Sequence, residues 1–553
     1  MTLRRFLDNY YALRPVNATF TGVHDHDHRL PDWSPGGIAC ALDEMRALRR
    51  ALDTGRQPTR EDLKEVGVRD RELALAFLDV QIAEHECGHF HQRNPSLAAG
   101  EAIFGVISLM TRPFAPVVDR VEAAVARLSA IPQFLAGART ANAGGVPDQW
   151  RLRALRECDG AERLFGSIGR WLEVERVDRD ADRHADRLRD ASRLALAAFD
   201  DFRGWLTRDA PSAPADAYAC GPELFDLLLS RGHWSTRSRA ALAQEARAAL
   251  DDALASVDEM AGALASGGWP QVQARLTEVH PTTADYLHTY RRLWDACREH
   301  AEAADLVTWP DYPIRYVPVP LHTRDAAPFL YYLFYRSPAA FDELPTHEYV
   351  VTPIEEDMPL DEQRRRLRAT NTSVIKLNHV VHHGAIGHHV QNYYAYHGES
   401  EVGRIAAVDC ASRIGMFAGG TMAEGWACYA TDLMDEVGFL TPEESVAEQH
   451  TRARLLARAV VDIGLHERSM TFDDAVAVYR DRIGMSPEAA RAEACKNSMF
   501  PATAVMYWLG TDTLHRLRRE RERAEGPAFS LRRFHDRLLS YGSIPLPLVA
   551  QLM

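Results

Sequence analysis

Lysine is nearly absent from this chain. Only three of its 64 basic residues are lysines (Lys64, Lys376 and Lys496), and the rest are arginines. Together with abundant alanine, this bias is typical of a skewed genome composition, so the retained lysines are informative. The formal net charge of -14 argues against a general binder of nucleic acid or of anionic membranes.

The chain also lacks long apolar runs and paired cysteines. No stretch offers the roughly 18 uninterrupted apolar residues of a membrane span, and the opening residues contain no apolar signal core. The eight cysteines are scattered without a Cys-x-x-Cys pair, which indicates reduced thiols and no disulfide framework. We therefore expect a cytoplasmic protein without a membrane partner.

Helical patterns cover most of the 553 residues. Apolar residues recur three and four positions apart, and proline and glycine clusters separate the runs. The pattern predicts these amphipathic helices: 118–142, 150–172, 177–207, 236–265 and 283–304. We expect a mostly α protein, with helical regions at 1–307 and 361–553 forming one compact body.

The segment 308–360 differs from its surroundings. Its first part is punctuated by prolines, and His347 opens a stretch that alternates like a short strand. These features predict a small extended or β region that lies next to the histidine-rich segment and lines a cleft.

Five of the 23 histidines fall within eleven positions: His379, His382, His383, His388 and His389. Imidazole is the commonest protein metal ligand and the usual proton carrier near neutral pH. On a straight helix, residues four apart share a face, so His379 and His383 could form a chelating pair. His382 and His389 would stand roughly 10 Å apart on such a helix, so sharing an ion requires a break, for which glycines 384 and 387 are suited.

Glu424 is a further candidate ligand. It lies in the apolar-rich stretch Gly420-Thr-Met-Ala-Glu-Gly-Trp-Ala, 42 residues after His382. A buried glutamate needs a partner, and either a metal ion or an arginine such as Arg413 would provide one.

Three residues further along are candidates for catalysis. His466 ends an apolar stretch one turn after Asp462, a pattern that also fits a core histidine. Lys496 could act as an acid or form an imine. Tyr507 could donate a hydrogen bond to a developing oxyanion.

The chain resembles the bacterial domain-of-unknown-function 885 proteins, predicted helical metallohydrolases distantly similar to carboxypeptidase Taq and thimet oligopeptidase. The resemblance covers nearly the whole length, from Arg14-Pro-Val-Asn-Ala-Thr to Phe534-His-Asp-Arg-Leu-Leu-Ser-Tyr-Gly-Ser-Ile-Pro-Leu. It implies a large metallopeptidase-like helical body and a zinc site formed by His382, His388 or His389, and Glu424.

The same resemblance breaks at the catalytic motif. The family pattern His-Glu-x-x-Pro-Gly-His-His is here His382-His-Gly-Ala-Ile-Gly-His-His389, so His383 replaces the expected general-base glutamate. An Arg-Tyr pair has become Lys496-Asn497, and Pro-Gly-Gln-Ala has become Pro501-Ala-Thr-Ala.

Three functions remain open at this point. The first is a metal-dependent hydrolase that cleaves an amide-like bond of a small molecule or peptide, with His383 as the base. The second is a repurposed metalloenzyme (a lyase, isomerase or redox enzyme of specialised metabolism) that uses extra histidine ligands for zinc, iron or copper. The third is a non-catalytic scaffold or binding protein. We favour the hydrolase, with zinc as its cofactor, because the site has gained histidines where a decayed site would lose ligands.

Overall fold

We describe a computed structural model covering residues 2–88, 93–175, 181–329, 335–336, 339–342, 347–407 and 413–553. Nearly every element of these residues is a helix, which confirms the mostly α fold. The first helices are α1 Thr2–Leu13, α2 Pro15–Thr21, α3 Pro35–Leu52, α4 Val66–Glu86, α5 Pro95–Met110, α6 Val117–Ala141, α7 Asp148–Gly166, α8 Gly169–Glu175, α9 Ala181–Arg208, α10 Pro222–Leu227, α11 Arg239–Leu264, α12 Gly268–Glu278 and α13 Tyr286–Ala303.

The second half of the chain continues in the same way. Its helices are α14 Leu321–Arg324, α15 Leu360–Ala369, α16 Thr372–Val374, α17 His388–Tyr396, α18 Glu401–Ala406, α19 Gly420–Glu436, α20 Pro442–His466, α21 Phe472–Ala477, α22 Pro487–Met499, α23 Val505–Glu525, α24 Leu531–Leu539 and α25 Leu546–Leu552. Stretches of π-helix occur at Leu228–Gly232, Ile375–Gly384, Gly415–Gly419 and Val478–Arg482, and short 3₁₀ turns at Asp62–Lys64, Ala327–Phe329 and Gly526–Ala528.

The helices expected from apolar periodicity are present. The runs predicted at 118–142, 236–265 and 283–304 correspond to α6, α11 and α13. The run at 150–172 is divided between α7 and α8, and the described part of the run at 177–207 lies in α9. Periodicity succeeded here because each helix buries one face.

The chain forms two compact units. The first comprises Met1–Gln57, Arg71–Cys220 and Val319–Pro345, and the second comprises Pro58–Asp70, Gly221–Pro318 and Thr346–Met553. The first unit packs α5, α6, α7 and α9 around a core rich in alanine and aromatic residues, including the fully buried Trp171. The three-region division expected from the sequence remains a prediction.

The strands β1 Ile314–Pro318, β2 Tyr335–Arg336 and β3 His347–Val351 are short. β1 and β3 pair in parallel, with Ile314 opposite His347 and Pro318 opposite Val351. This sheet lies beside the histidine-rich segment, as expected, because the β3 residue Tyr349 hydrogen-bonds His379 through its hydroxyl, at 2.6 Å from Nδ1.

None of the described helices is both long and apolar enough to cross a membrane.

Candidate metal centre

The histidine-rich segment contains a break between its two groups of histidines. The π-helix ends at Gly384, and α17 begins at His388. The backbone N–H of Gly387 donates to the carbonyl of Val381 at 2.9 Å, which folds the intervening turn back onto the π-helix. His382 and His388 are six residues apart in the sequence, and the turn brings the centres of their rings within 4.9 Å of each other. The break expected from the glycines is confirmed.

Neighbouring oxygen atoms lie so close to Gly384 and Gly387 that neither position has room for a side chain. A Cβ on Gly387 would lie 1.9 Å from the carbonyl oxygen of His382, and one on Gly384 would lie 2.2 Å from the hydroxyl oxygen of Tyr316. Real Cβ atoms do not come this close to backbone oxygens, so a side chain at position 387 would push the turn away from the π-helix.

Two tryptophans hold the turn in place. The indole N–H of Trp294 donates to the carbonyl of Gly384 at 2.7 Å, and that of Trp426 donates to the carbonyl of Ile386 at 2.8 Å. Trp426 lies two residues after Glu424, so α19 supplies both a candidate ligand and a brace for the turn. We did not single out either tryptophan from the sequence. The Glu-Gly-Trp-Ala motif was a signal for Trp426, whereas Trp294 had none.

The turn brings four side chains together. His382, His383 and His388 each offer one ligand atom, and these atoms lie within 4.8 Å of one another. The carboxylate oxygen Oε2 of Glu424 lies 3.5 Å from Nε2 of His382 and 3.4 Å from Nε2 of His388. Zinc bonds of 2.0–2.1 Å in a tetrahedral arrangement separate neighbouring ligand atoms by about 3.3 Å. The two distances from the Glu424 oxygen therefore match the separation between neighbouring zinc ligands.

The protonation states suit metal binding. Burial lowers the pKa of His382 and of His383, so both rings are neutral at pH 7 and carry a lone pair. Burial alone would raise the pKa of Glu424, but His388 and His382 hold it well below its usual range. Among the described residues, the buried Oε2 of Glu424 has no hydrogen-bond partner. A buried carboxylate oxygen in that position is an acceptor for a cation.

A hydrogen bond at Nδ1 fixes the orientation of the His383 ring. Nδ1 lies 2.7 Å from the carbonyl oxygen of Asn378, and because a carbonyl only accepts hydrogen bonds, Nδ1 carries the proton. Nε2 of the neutral ring therefore carries the lone pair. Such a contact to a backbone carbonyl fixes the tautomer of histidines that bind metals or transfer protons.

His389 does not belong to the cluster, which corrects its assignment as an alternative ligand. Its ring is fully buried, stacks on Tyr312 at 4.8 Å, and bonds the Tyr312 carbonyl through Nε2 at 2.6 Å. Adjacent residues in the first turn of α17 point in directions about 100° apart, so only His388 faces Glu424. His379 is directed to Tyr349, and we therefore do not assign it as a ligand.

Arg452 of α20 steadies the helix that carries Glu424. Its guanidinium forms an ion pair with Asp432 and donates to the carbonyl of Cys428, one turn after Glu424, while its Nε bonds Glu448 at 2.9 Å. Arg452 thus joins α19 to α20, whereas the alternative partner of Glu424, Arg413, stacks on Phe417 at 4.5 Å.

The other candidate catalytic residues lie in different surroundings. His466 is fully buried and hydrogen-bonds the carbonyl of Asn497 through Nε2 at 3.0 Å. Lys496 is half-buried near Glu493, and Tyr507 of α23 has the guanidinium of Arg458 5.4 Å above its ring. The catalytic roles of His466, Lys496 and Tyr507 remain predictions.

The chain belongs to the bacterial family of unknown function DUF885, whose model matches residues 15–553. No curated protein matches the chain.

Two solved structures share the fold. One is described as "a putative lipoprotein of unknown function" from Shewanella oneidensis; it is 21% identical, with a TM-score of 0.74, and the match covers 100% of this chain and 98% of that one. The other is described as "the putative lipoprotein" from Colwellia psychrerythraea; it is 15% identical, with a TM-score of 0.77, and the match covers 100% of this chain and 97% of that one.

Proposed function

We propose that the chain is a metal-dependent hydrolase that cleaves an amide-like bond of a small molecule or peptide in the cytoplasm. His382, His388 and Glu424 would hold one zinc ion, and His383 would serve as the general base. The observation that carries the proposal is the distance of 3.4–3.5 Å from both imidazole nitrogens to a single buried carboxylate oxygen. That spacing is close to the edge of a tetrahedron formed by zinc ligands.

A bound zinc ion supplies Lewis acidity, which makes water nucleophilic at neutral pH and polarises a carbonyl group. His383 would accept a proton from the attacking water at Nε2, because its Nδ1 is protonated in the hydrogen bond to the Asn378 carbonyl. The water oxygen would bond to the carbonyl carbon, the carbon–nitrogen bond would break, and His383 would return the proton to the nitrogen of the leaving amine. General-base catalysis of this kind typically contributes about 10²–10⁴-fold to the rate.

The test is hydrolysis of a mixture of short N-acylated peptides in water enriched in oxygen-18. We expect the zinc-loaded protein to produce a carboxylic acid that has gained one labelled oxygen. The variant His382→Ala should lose the activity, and the control His288→Ala, which replaces an exposed histidine of α13, should keep it. Cleavage without the label would contradict hydrolysis, and equal activity in His382→Ala would contradict the metal site.

A second function is favoured by one observation. The ligand atom of His383 lies within 4.8 Å of those of His382 and His388, and its Nδ1 contact is typical of a metal ligand. Three histidines and one glutamate would suit iron or copper as well as zinc, and a lyase, isomerase or redox reaction would then replace hydrolysis. Loss of metal from His383→Ala would favour this alternative.

A further inference from the structure

His379 lies on the same open face of the π-helix as His382 and His383. The buried face of this helix consists of Ile375, Lys376, Val380, Val381 and Gly384. His379, His382 and His383 fall between these buried positions, and all three are half-buried. Residues four apart lie one above the other on a helix, so His379 lies about one turn from His383 on the side that a ligand can reach.

Tyr349 of β3 contacts both histidines. Its hydroxyl oxygen lies 2.6 Å from Nδ1 of His379. The centre of its ring lies 5.8 Å from that of His379 and 6.2 Å from that of His383, in edge-to-face contacts. Because Tyr349 is fully buried, it supports the two imidazoles from the protein side and leaves their other side open.

The hydrogen bond to Tyr349 sets the tautomer of His379. Burial lowers the pKa of His379 to about 4, so the ring is neutral at pH 7 and has a proton on one nitrogen only. A phenol is a stronger acid than the N–H of a neutral imidazole, so the hydroxyl of Tyr349 donates and Nδ1 of His379 accepts. The proton of His379 is therefore on Nε2.

His379 and His383 thus have opposite tautomers. In His383 the proton is on Nδ1, which donates to the carbonyl of Asn378, and Nε2 carries the lone pair. In His379 the proton is on Nε2, and this N–H has no hydrogen-bond partner within the part of the chain that the structure describes. One imidazole of the open face can therefore accept a proton, and the other can donate a hydrogen bond.

We propose that Nε2–H of His379 donates a hydrogen bond to an amide carbonyl of the substrate next to the carbonyl that is attacked. Side chains one turn apart on a helix have Cβ atoms about 5–6 Å apart, whereas the attacked carbonyl lies at the zinc ion. The acceptor is therefore a second carbonyl. The inference rests on the proposed function and gives it a substrate class: a compound with at least two amide-like carbonyls, such as a peptide, and not a simple amide.

The test is calorimetric titration of the full-length, zinc-loaded protein with three hydroxamates. A hydroxamate binds zinc and takes the place of the attacked carbonyl. Acetohydroxamate has no second carbonyl. N-acetylglycine hydroxamate has one on the acyl side, and the hydroxamate of succinic acid N-methylamide has one on the side of the leaving group. We expect at least one of the two longer compounds to bind the native chain more tightly than acetohydroxamate does.

Replacement of His379 should affect only the longer compounds. His379→Phe should weaken binding of the preferred compound about fivefold and leave that of acetohydroxamate unchanged, because one hydrogen bond to the second carbonyl is lost. His379→Gln places an amide N–H near the position of Nε2 and should restore part of the binding. The matched control is His288→Phe, which replaces an exposed histidine of α13 and should bind all three compounds as the native chain does.

The outcomes separate this inference from the proposed function. Equal binding of all three compounds to the native chain would overturn the inference, as would an equal loss for all three in His379→Phe. In both cases the binding of acetohydroxamate would still support the zinc site. If acetohydroxamate does not bind the native chain, the zinc site itself is contradicted, and the inference with it.

A second variant covers the case in which His379→Phe does not fold. Tyr349→Phe removes one oxygen atom and leaves Nδ1 of His379 without its donor, so the proton is no longer held on Nε2. We expect the preference for the longer compound to fall in this variant, while the zinc content stays at the native level. An unchanged preference in Tyr349→Phe would contradict the donor role of Nε2.

Discussion

Replacement of Gly387 by alanine is expected to disrupt the metal centre without unfolding the protein. The added Cβ would lie 1.9 Å from the carbonyl oxygen of His382. An ordinary carbon–oxygen contact is about 3.3 Å, so the turn must open by about 1.4 Å. Metal sites tolerate errors of only about 0.2 Å in ligand distances. Since the turn sets the position of His388 relative to His382, we expect zinc affinity to fall at least 100-fold.

The assay is a competition titration against a chromophoric zinc chelator, with circular dichroism to verify that the helices remain. The control is Gly262→Ala in α11, because a Cβ there meets no atom within 4 Å. Alanine in a helix interior is favoured over glycine by about 1 kcal/mol, so the control should be as stable as the native chain or more so. Equal zinc affinity in Gly387→Ala and Gly262→Ala would refute the argument that this turn positions the ligands.

Further predictions concern stability. Ala502 stands where the family pattern has glycine and adopts a φ of +59°, so Ala502→Gly should raise the free energy of unfolding by about 1 kcal/mol in urea titrations. Glu493 has a pKa of about 2 in the folded chain, below its ordinary 4.5, so it stabilises the fold above pH 4.5 and loses this effect as the pH falls toward 2; Glu493→Gln should cost about 3 kcal/mol at pH 7 and little at pH 2. Burial disfavours protonation of His24, but hydrogen bonds to two carboxylates raise its pKa to about 9. Its stabilisation is therefore complete below pH 6.5 and lost as the pH rises through 9, so His24→Asn should lower the thermal midpoint at pH 6 and not at pH 10.

Local patterns were sufficient to predict much of the fold. Apolar periodicity located α6, α11 and α13 to within a few residues, because the apolar residues on the buried face of each helix recur at helical spacing in its sequence. The break at Gly384 and Gly387 was also predictable, since two glycines interrupt a run of histidines that one straight helix cannot bring to one ion.

Contacts between residues that are distant in the sequence determine the features that apolar periodicity does not predict. Which of His388 and His389 faces Glu424 depends on the carbonyl of Tyr312. This carbonyl lies 77 residues before His389 and accepts a hydrogen bond from its ring. Periodicity also does not predict the π-helix before the turn or the hydrogen bond from the indole of Trp294 to the turn. The core position of His466 follows from its bond to Asn497 across 31 residues.

The most direct test of the central claim is elemental analysis of the purified, untagged protein beside its His382→Ala and His383→Ala variants. We predict one zinc per chain that is lost from His382→Ala and kept by His383→Ala, because the proposed function makes His383 a base and not a ligand. Loss of metal from His383→Ala would make that residue a ligand and favour the alternative chemistry. Absence of bound metal from the native chain under any loading condition would contradict the metal centre itself.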